Sequence, residues 1–203
     1  MSTDAPDCIP LFPLSQGIFP DGMLQLKIFE VRYLDLIRRC HREQTPFGVV
    51  WLAQGQEVQV PGQVPQLYPW GCEVLVREIE ALQPALLRVR CQAITRFMLE
   101  SHVAGPLGVW QGKVTRRPDD PVIPLPDDLQ YLAGELGRLI ADTQRRGLGA
   151  LLPIYAPYRL DECGWVANRL AELIQVDASV KQALMGEDDP EARLRRVGTL
   201  MAR

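Results

Sequence analysis

The chain has 203 residues, 47% of them hydrophobic, and a formal net charge of -3. That length fits one large domain or two small ones, with enough apolar content to close a core without disulfide or metal staples. The near-neutral charge is spread evenly along the chain and argues against a dedicated nucleic-acid binder, which carries a strongly basic face.

In chain order, the first apolar strand is Ile9–Leu14. Met23–Ile28 alternates apolar and polar residues, as a half-buried strand does. Phe29, Tyr33, Leu36, Ile37 and Cys40 then recur at helical spacing. They predict a helix from Phe29 to Glu43, stopped by Pro46, with Phe29 and Tyr33 buried against the strands. Phe47–Leu52 reads as a short, fully buried strand, and Glu73–Ile79, Leu87–Ala93, Phe97–Leu99 and Gly108–Val114 complete the set. Short strands punctuated by turns suggest a small closed sheet or barrel.

Four prolines between Pro118 and Pro126 mark a boundary, because proline continues neither a helix nor a central strand. Beyond it the pattern is helical. Asp127 or Asp128 is the expected cap of a helix whose inner face is Leu129, Leu132, Ala133, Leu136, Leu139 and Ile140. Asp161 is the expected cap of the next, with Val166, Leu170, Leu173 and Ile174 inward. Asp177 precedes a helix over Ala178–Met185. Asp189-Pro190 pairs an N-cap with proline at the first helical position, ahead of Leu194, Val197, Leu200 and Met201. The expected architecture is α+β: a β-barrel subdomain with one inserted helix over residues 8–118, then a bundle of about four helices over residues 119–203.

The five cysteines are odd in number and not closely spaced, which argues against a disulfide framework and suits a reducing cytoplasm. Residues 1–7 are polar and acidic, unlike a signal peptide, and no apolar stretch is long enough to span a bilayer. Nineteen of the 22 basic residues are arginine, a usage that points to a GC-rich bacterial genome.

The opening segment carries the most specific signal. Ile9-Pro-Leu-Phe-Pro-Leu14, then Phe19-Pro20, then Met23 through Phe29-Glu-Val-Arg-Tyr33 resembles the start of the substrate-recognition N-terminal domain of ATP-dependent Lon protease. Phe47-Gly-Val-Val50, Gly71 through Glu80, Ala93-Ile-Thr-Arg-Phe97 and Leu173 through Leu184 continue the resemblance, so it runs from Ile9 to about Leu200. It implies a PUA-like β-barrel followed by a helical bundle, and a partner rather than a reaction. Ala93 stands where the family usually has glycine before a turn. In full-length Lon this domain leads into an ATPase and a Ser-Lys peptidase; here the chain resembles a stand-alone recognition domain.

Candidate chemistry is sparse. There is no phosphate loop: Gly112-Lys113 is followed by Val114, and Leu107 stands where the first glycine belongs. Ser179 and Lys181 are two apart on a predicted helix and diverge, so they make no nucleophile–base pair. Cys40-His41 and the lone His102 are too few for a zinc set. Glu30 reads as a helix-start carboxylate, and Arg77, Arg88 and Arg90 as a solvated face balanced by Glu73, Glu78 and Glu80. The apolar connection Leu148–Tyr158 is interrupted by Gly149, Pro153 and Pro157, so it cannot hide its side chains in a regular helix. Its Leu151, Ile154, Tyr155 and Tyr158, with Tyr68 and Trp70 in a proline-rich loop, are the candidate peptide-binding residues.

The resulting expectation is a cytoplasmic, non-enzymatic module without metal or cofactor. It would bind unfolded or partly folded polypeptides through exposed apolar segments, or dock on a protease or chaperone, with no nucleic acid or membrane partner. The rival readings are an RNA-binding PUA-like protein and a small-molecule enzyme.

Overall fold

The computed structural model describes residues 7–58, 62–149 and 152–202. Their elements are mixed α and β, with six strands in one sheet and five α-helices among the described residues. The chain divides into two compact units. One holds the stretch up to Ile18 and Leu24–Pro118; the other holds Phe19–Met23 and the chain from Asp119.

In the first unit, β1 (Asp7–Leu14) pairs in parallel with β3 (Phe47–Gln54) and antiparallel with β6 (Trp110–Arg116). Two long strands, β4 (Gln66–Gln83) and β5 (Leu86–Ala104), pair antiparallel, and β2 (Met23–Ile28) ends the order β2-β5-β4-β3-β1-β6. Strand β6 also pairs with β5, so five of the strands return on themselves. The sequence pattern breaks these long strands into pieces because each bends at a register shift. One lies between the pairs Cys72↔Arg96 and Val74↔Ala93, where β5 has one residue more than β4. A bulge therefore does the bending at Ala93–Phe97 that the resemblance assigned to a turn.

Helix α1 (Val31–Glu43) buries Tyr33, Leu34, Leu36, Ile37 and Cys40 in a core shared with Phe12, Phe47, Val49, Val74 and Val89. It ends at Gln44, whose left-handed backbone returns its N–H to the Cys40 carbonyl.

One expectation fails here. Tyr33 is buried, but Phe29 is 56% exposed. The helix starts at Val31, two residues after it. Phe29 therefore continues the alternation of β2, in which Leu26 and Ile28 point inward and Gln25 and Lys27 outward. The expected result is a contrast in urea denaturation. Phe29→Ser should change stability by less than about 0.5 kcal/mol, as exposed substitutions do. Tyr33→Ala should cost about 3–5 kcal/mol, as removal of a buried aromatic does.

The second unit contains α2 (Gln130–Arg145), α3 (Cys163–Leu173), α4 (Ala178–Met185) and α5 (Pro190–Met201). Asp189 caps α5 as expected, its carboxylate accepting from the Glu191 and Ala192 N–H groups. Neither earlier cap forms. A single 3-10 turn over Asp127–Leu129 precedes α2, and Asp128 instead pairs with Arg195 at 2.5 Å. Before α3 the chain turns at Leu160–Asp161 and Glu162 is extended, bridging Pro124 in a short antiparallel contact. Helix α3 is buried from Cys163 to Ala171, including Asn168 and Arg169. Leu139 is 41% exposed despite lying on the apolar stripe of α2.

Candidate functional site

The connection after α2 starts at Gly147, whose φ of +69° turns the chain out of the helix. Leu148 is 44% exposed. Leu151 lies outside the described residues. Ile154 is buried, Tyr155 is half-buried and Tyr158 is 39% exposed. The Tyr158 hydroxyl accepts from Gln144 Nε2 at 2.7 Å, and its ring meets Trp165 edge-on at 6.3 Å. Tyr158 also lines an open depression of about 610 Å³, with Leu125, Gln130, Ala133, Leu160 and Asp161. The segment is thus part core, through Ile154, and part accessible, through Tyr158.

Tyr68 and Trp70 are not in a loop. They lie within β4, where Trp70 pairs with Met98. Both are half-buried, and the Arg117 guanidinium sits 5.5 Å from the Trp70 ring centroid, covering part of it. They belong to the first unit, whereas Ile154, Tyr155 and Tyr158 belong to the second.

A third surface was not among the sequence candidates. Phe12, Leu14, Leu26, Ile28 and Tyr33 line a pocket of about 250 Å³ whose rim includes Phe29 and Val58. Burial holds the Tyr33 phenol up at about 12, so the ring stays neutral. Its hydroxyl has no hydrogen-bond partner among the described residues, and the Phe12 and Tyr33 ring centroids lie 4.0 Å apart. The signal was present in the sequence: the two-residue period of β2 runs through Phe29, and only the choice of helical period hid it.

The described residues assemble little chemistry. Ser179 is exposed, and Lys181 donates to the Glu172 carbonyl at 3.2 Å. Burial lowers the Lys181 pKa from its ordinary value. Cys40 is buried and its thiol is pushed up by that burial. No group of three His, Cys, Asp or Glu residues among those described could hold a metal ion. The arginines of β4 and β5 are paired: Arg88 with Glu80 at 2.7 Å, Arg90 with Glu78 at 2.8 Å, and Arg77 with the Gln92 side chain at 2.9 Å. Among the described residues, no helix is long and apolar enough to cross a membrane.

Among the described residues the geometry therefore offers partly apolar surfaces and assembles no reaction centre. In comparison with known families, the one described as the ATP-dependent protease La (Lon) substrate-binding domain matches residues 8–203. The chain belongs to the Lon substrate-binding domain family. A Lon N-terminal domain protein from Xanthomonas campestris is 28% identical with a TM-score of 0.72, over 95% of this chain and 98% of that one. The N-terminal domain of Mycobacterium avium complex Lon protease shares the fold at 14% identity and a TM-score of 0.57, over 97% of this chain and 98% of that one. No curated protein matches the chain. What the Lon family match supplies is a non-catalytic, substrate-binding domain; neither an ATPase nor a peptidase domain is part of it.

Proposed function

We propose that this chain is a cytoplasmic, non-enzymatic module that binds exposed apolar segments of unfolded or partly folded polypeptides, or docks on a protease or chaperone partner. The observation that carries this reading is the family match over residues 8–203. Tyr158 and the depression beside it support it, being accessible surface of mixed polar and apolar lining with a tyrosine at its edge. Leu151, Ile154 and Tyr155 flank Tyr158 in the same connection, and Tyr68 and Trp70 form a separate candidate patch. The ion pairs of Arg88 with Glu80 and Arg90 with Glu78 weigh against the RNA-binding alternative, since the charge of these two arginines is already compensated.

The test is fluorescence anisotropy with reduced, carboxymethylated α-lactalbumin, a permanently unfolded protein. Saturable binding is expected, with none to the folded, disulfide-intact form. Replacing Tyr155 and Tyr158 together by Ser should weaken binding by about tenfold, or about 1.4 kcal/mol, while the circular dichroism stays native. Absence of binding to the unfolded protein refutes the reading.

A further inference from the structure

We propose that β2 is a docking edge, to which an extended segment of a client polypeptide adds as a further strand and seats an apolar side chain in the pocket beside Phe29. The inference rests on the reading that this chain binds unfolded polypeptide, and it names a second contact and a mode of binding.

The first ground is the backbone. Strand β2 ends the sheet order: β5 lies on one side, and among the described residues no strand pairs with the other. Outside the sheet ladder, no backbone bond among the described residues involves Leu24–Ile28. The outward N–H and C=O groups of these residues therefore offer the row of donors and acceptors that an extended chain matches. Strand addition draws its affinity from main-chain bonds, so it tolerates varied sequences.

The second ground is the pocket. Neighbouring strands place side chains in register on the same face. The inward row of an added strand would thus continue the row of Leu26 and Ile28, both of which line the pocket of about 250 Å³. Its outward row would lie beside Gln25, Lys27 and Phe29, all exposed. An alternating apolar segment fits both rows.

The third ground is charge, which separates a client from a second copy of this chain. Lys27 is exposed and has no ion-pair partner among the described residues. Antiparallel pairing of two β2 edges would bring the two Lys27 side chains together, the device by which edge strands avoid self-association. A client strand with a neutral or acidic residue there incurs no such repulsion.

Two probes test this. The first is a short fluorescein-labelled peptide alternating valine and threonine with one central aspartate. It is compared with two N-methylated forms, each blocking the amides of one edge. One methylated form should bind at least about tenfold more weakly and the other like the parent. Equal binding of all three overturns strand addition. The second probe is carboxymethylated α-lactalbumin, followed by hydrogen–deuterium exchange. Its binding should slow exchange within Leu24–Ile28, and Phe29→Ser should weaken it severalfold without lowering Tm. If α-lactalbumin binds but protection appears only over Leu152–Tyr158, the docking edge is wrong while the proposed function stands. If α-lactalbumin does not bind at all, both fall.

Discussion

Arg193→Met is expected to destabilise the protein by about 3–5 kcal/mol, the largest single loss among its polar residues. The guanidinium is buried on α5 and holds three parts of the helical unit. It donates to Asp120 at 2.5 and 3.0 Å in a two-pronged pair, to Asn168 Oδ1 on α3 at 3.0 Å, and to the Glu187 carbonyl before α5 at 2.5 Å. Gly164 makes room for this arrangement, since a Cβ there would lie 2.9 Å from Asp120 Oδ2. Methionine keeps most of the volume but removes the Arg193 donors from the Asp120 carboxylate and the Asn168 amide. The cost comes from the hydrogen bonds those covered groups lose more than from the loss of the ion pair itself. It follows that Arg193→Met combined with Asp120→Leu should be more stable than Arg193→Met alone. Urea midpoints for the two single variants and the double variant check this. A midpoint for Arg193→Met within error of the parent would show that the cluster contributes nothing. Because native domains are stable by only about 5–15 kcal/mol, the single variant should be partly unfolded at 37 °C.

Arg193 also shows where the sequence stops being legible. It lies four residues before Val197 on the buried stripe of α5, yet a charged residue at such a position reads as outward. Arg169, buried on α3, is hidden in the same way. What could be read was what local periodicity decides: the bounds of β2, the stripe of α1 and the Asp189-Pro190 start of α5. What could not be read needed long-range information. Bulges let β4 and β5 run on beyond their alternating cores. Phe19–Met23 belongs with the helical unit, although it falls between two strands of the sheet unit. Of the candidate site, Tyr158 was legible as an apolar residue that no regular helix could hide. Phe29 was misplaced because strand and helix periods overlap at Phe29–Tyr33, and only the observed helix start at Val31 separates them.

The stability of the helical unit should fall as pH rises from about 5 to 8, and Glu172→Gln should remove most of that fall. The Glu172 side chain on α3 is largely covered, and that burial raises its carboxyl from the ordinary 4.5 to about 7. Arg169 at 3.2 Å and the Phe19 N–H at 2.9 Å both favour the charged form through Oε1, but Oε2 is buried with no partner. The loss of hydration therefore outweighs the attraction. The sign follows from proton counting. Between about 4.5 and 7 the folded protein keeps a proton that the unfolded chain has released, so raising the pH through this window favours unfolding. The contribution is full below 4.5 and gone above about 7; a shift of this size corresponds to roughly 3 kcal/mol. Glu100 and Asp128 act in the opposite direction and elsewhere. Their carboxyls are lowered by Thr115 and Lys113 and by Arg195, so their contribution is lost only as pH falls below the ordinary carboxylate range. Glutamine keeps an acceptor for the Phe19 N–H and cannot ionise. Glu172→Gln should match the parent within about 1 kcal/mol at pH 5 and exceed it at pH 8. The consequence is local, because Arg169 and Glu172 together hold Phe19 and Pro20, the Arg169 guanidinium donating to the Pro20 carbonyl at 2.6 Å. Urea denaturation of both proteins from pH 5 to 8 decides the matter: parallel curves would show that Glu172 is ionised across the whole range and that Arg169 outweighs its burial.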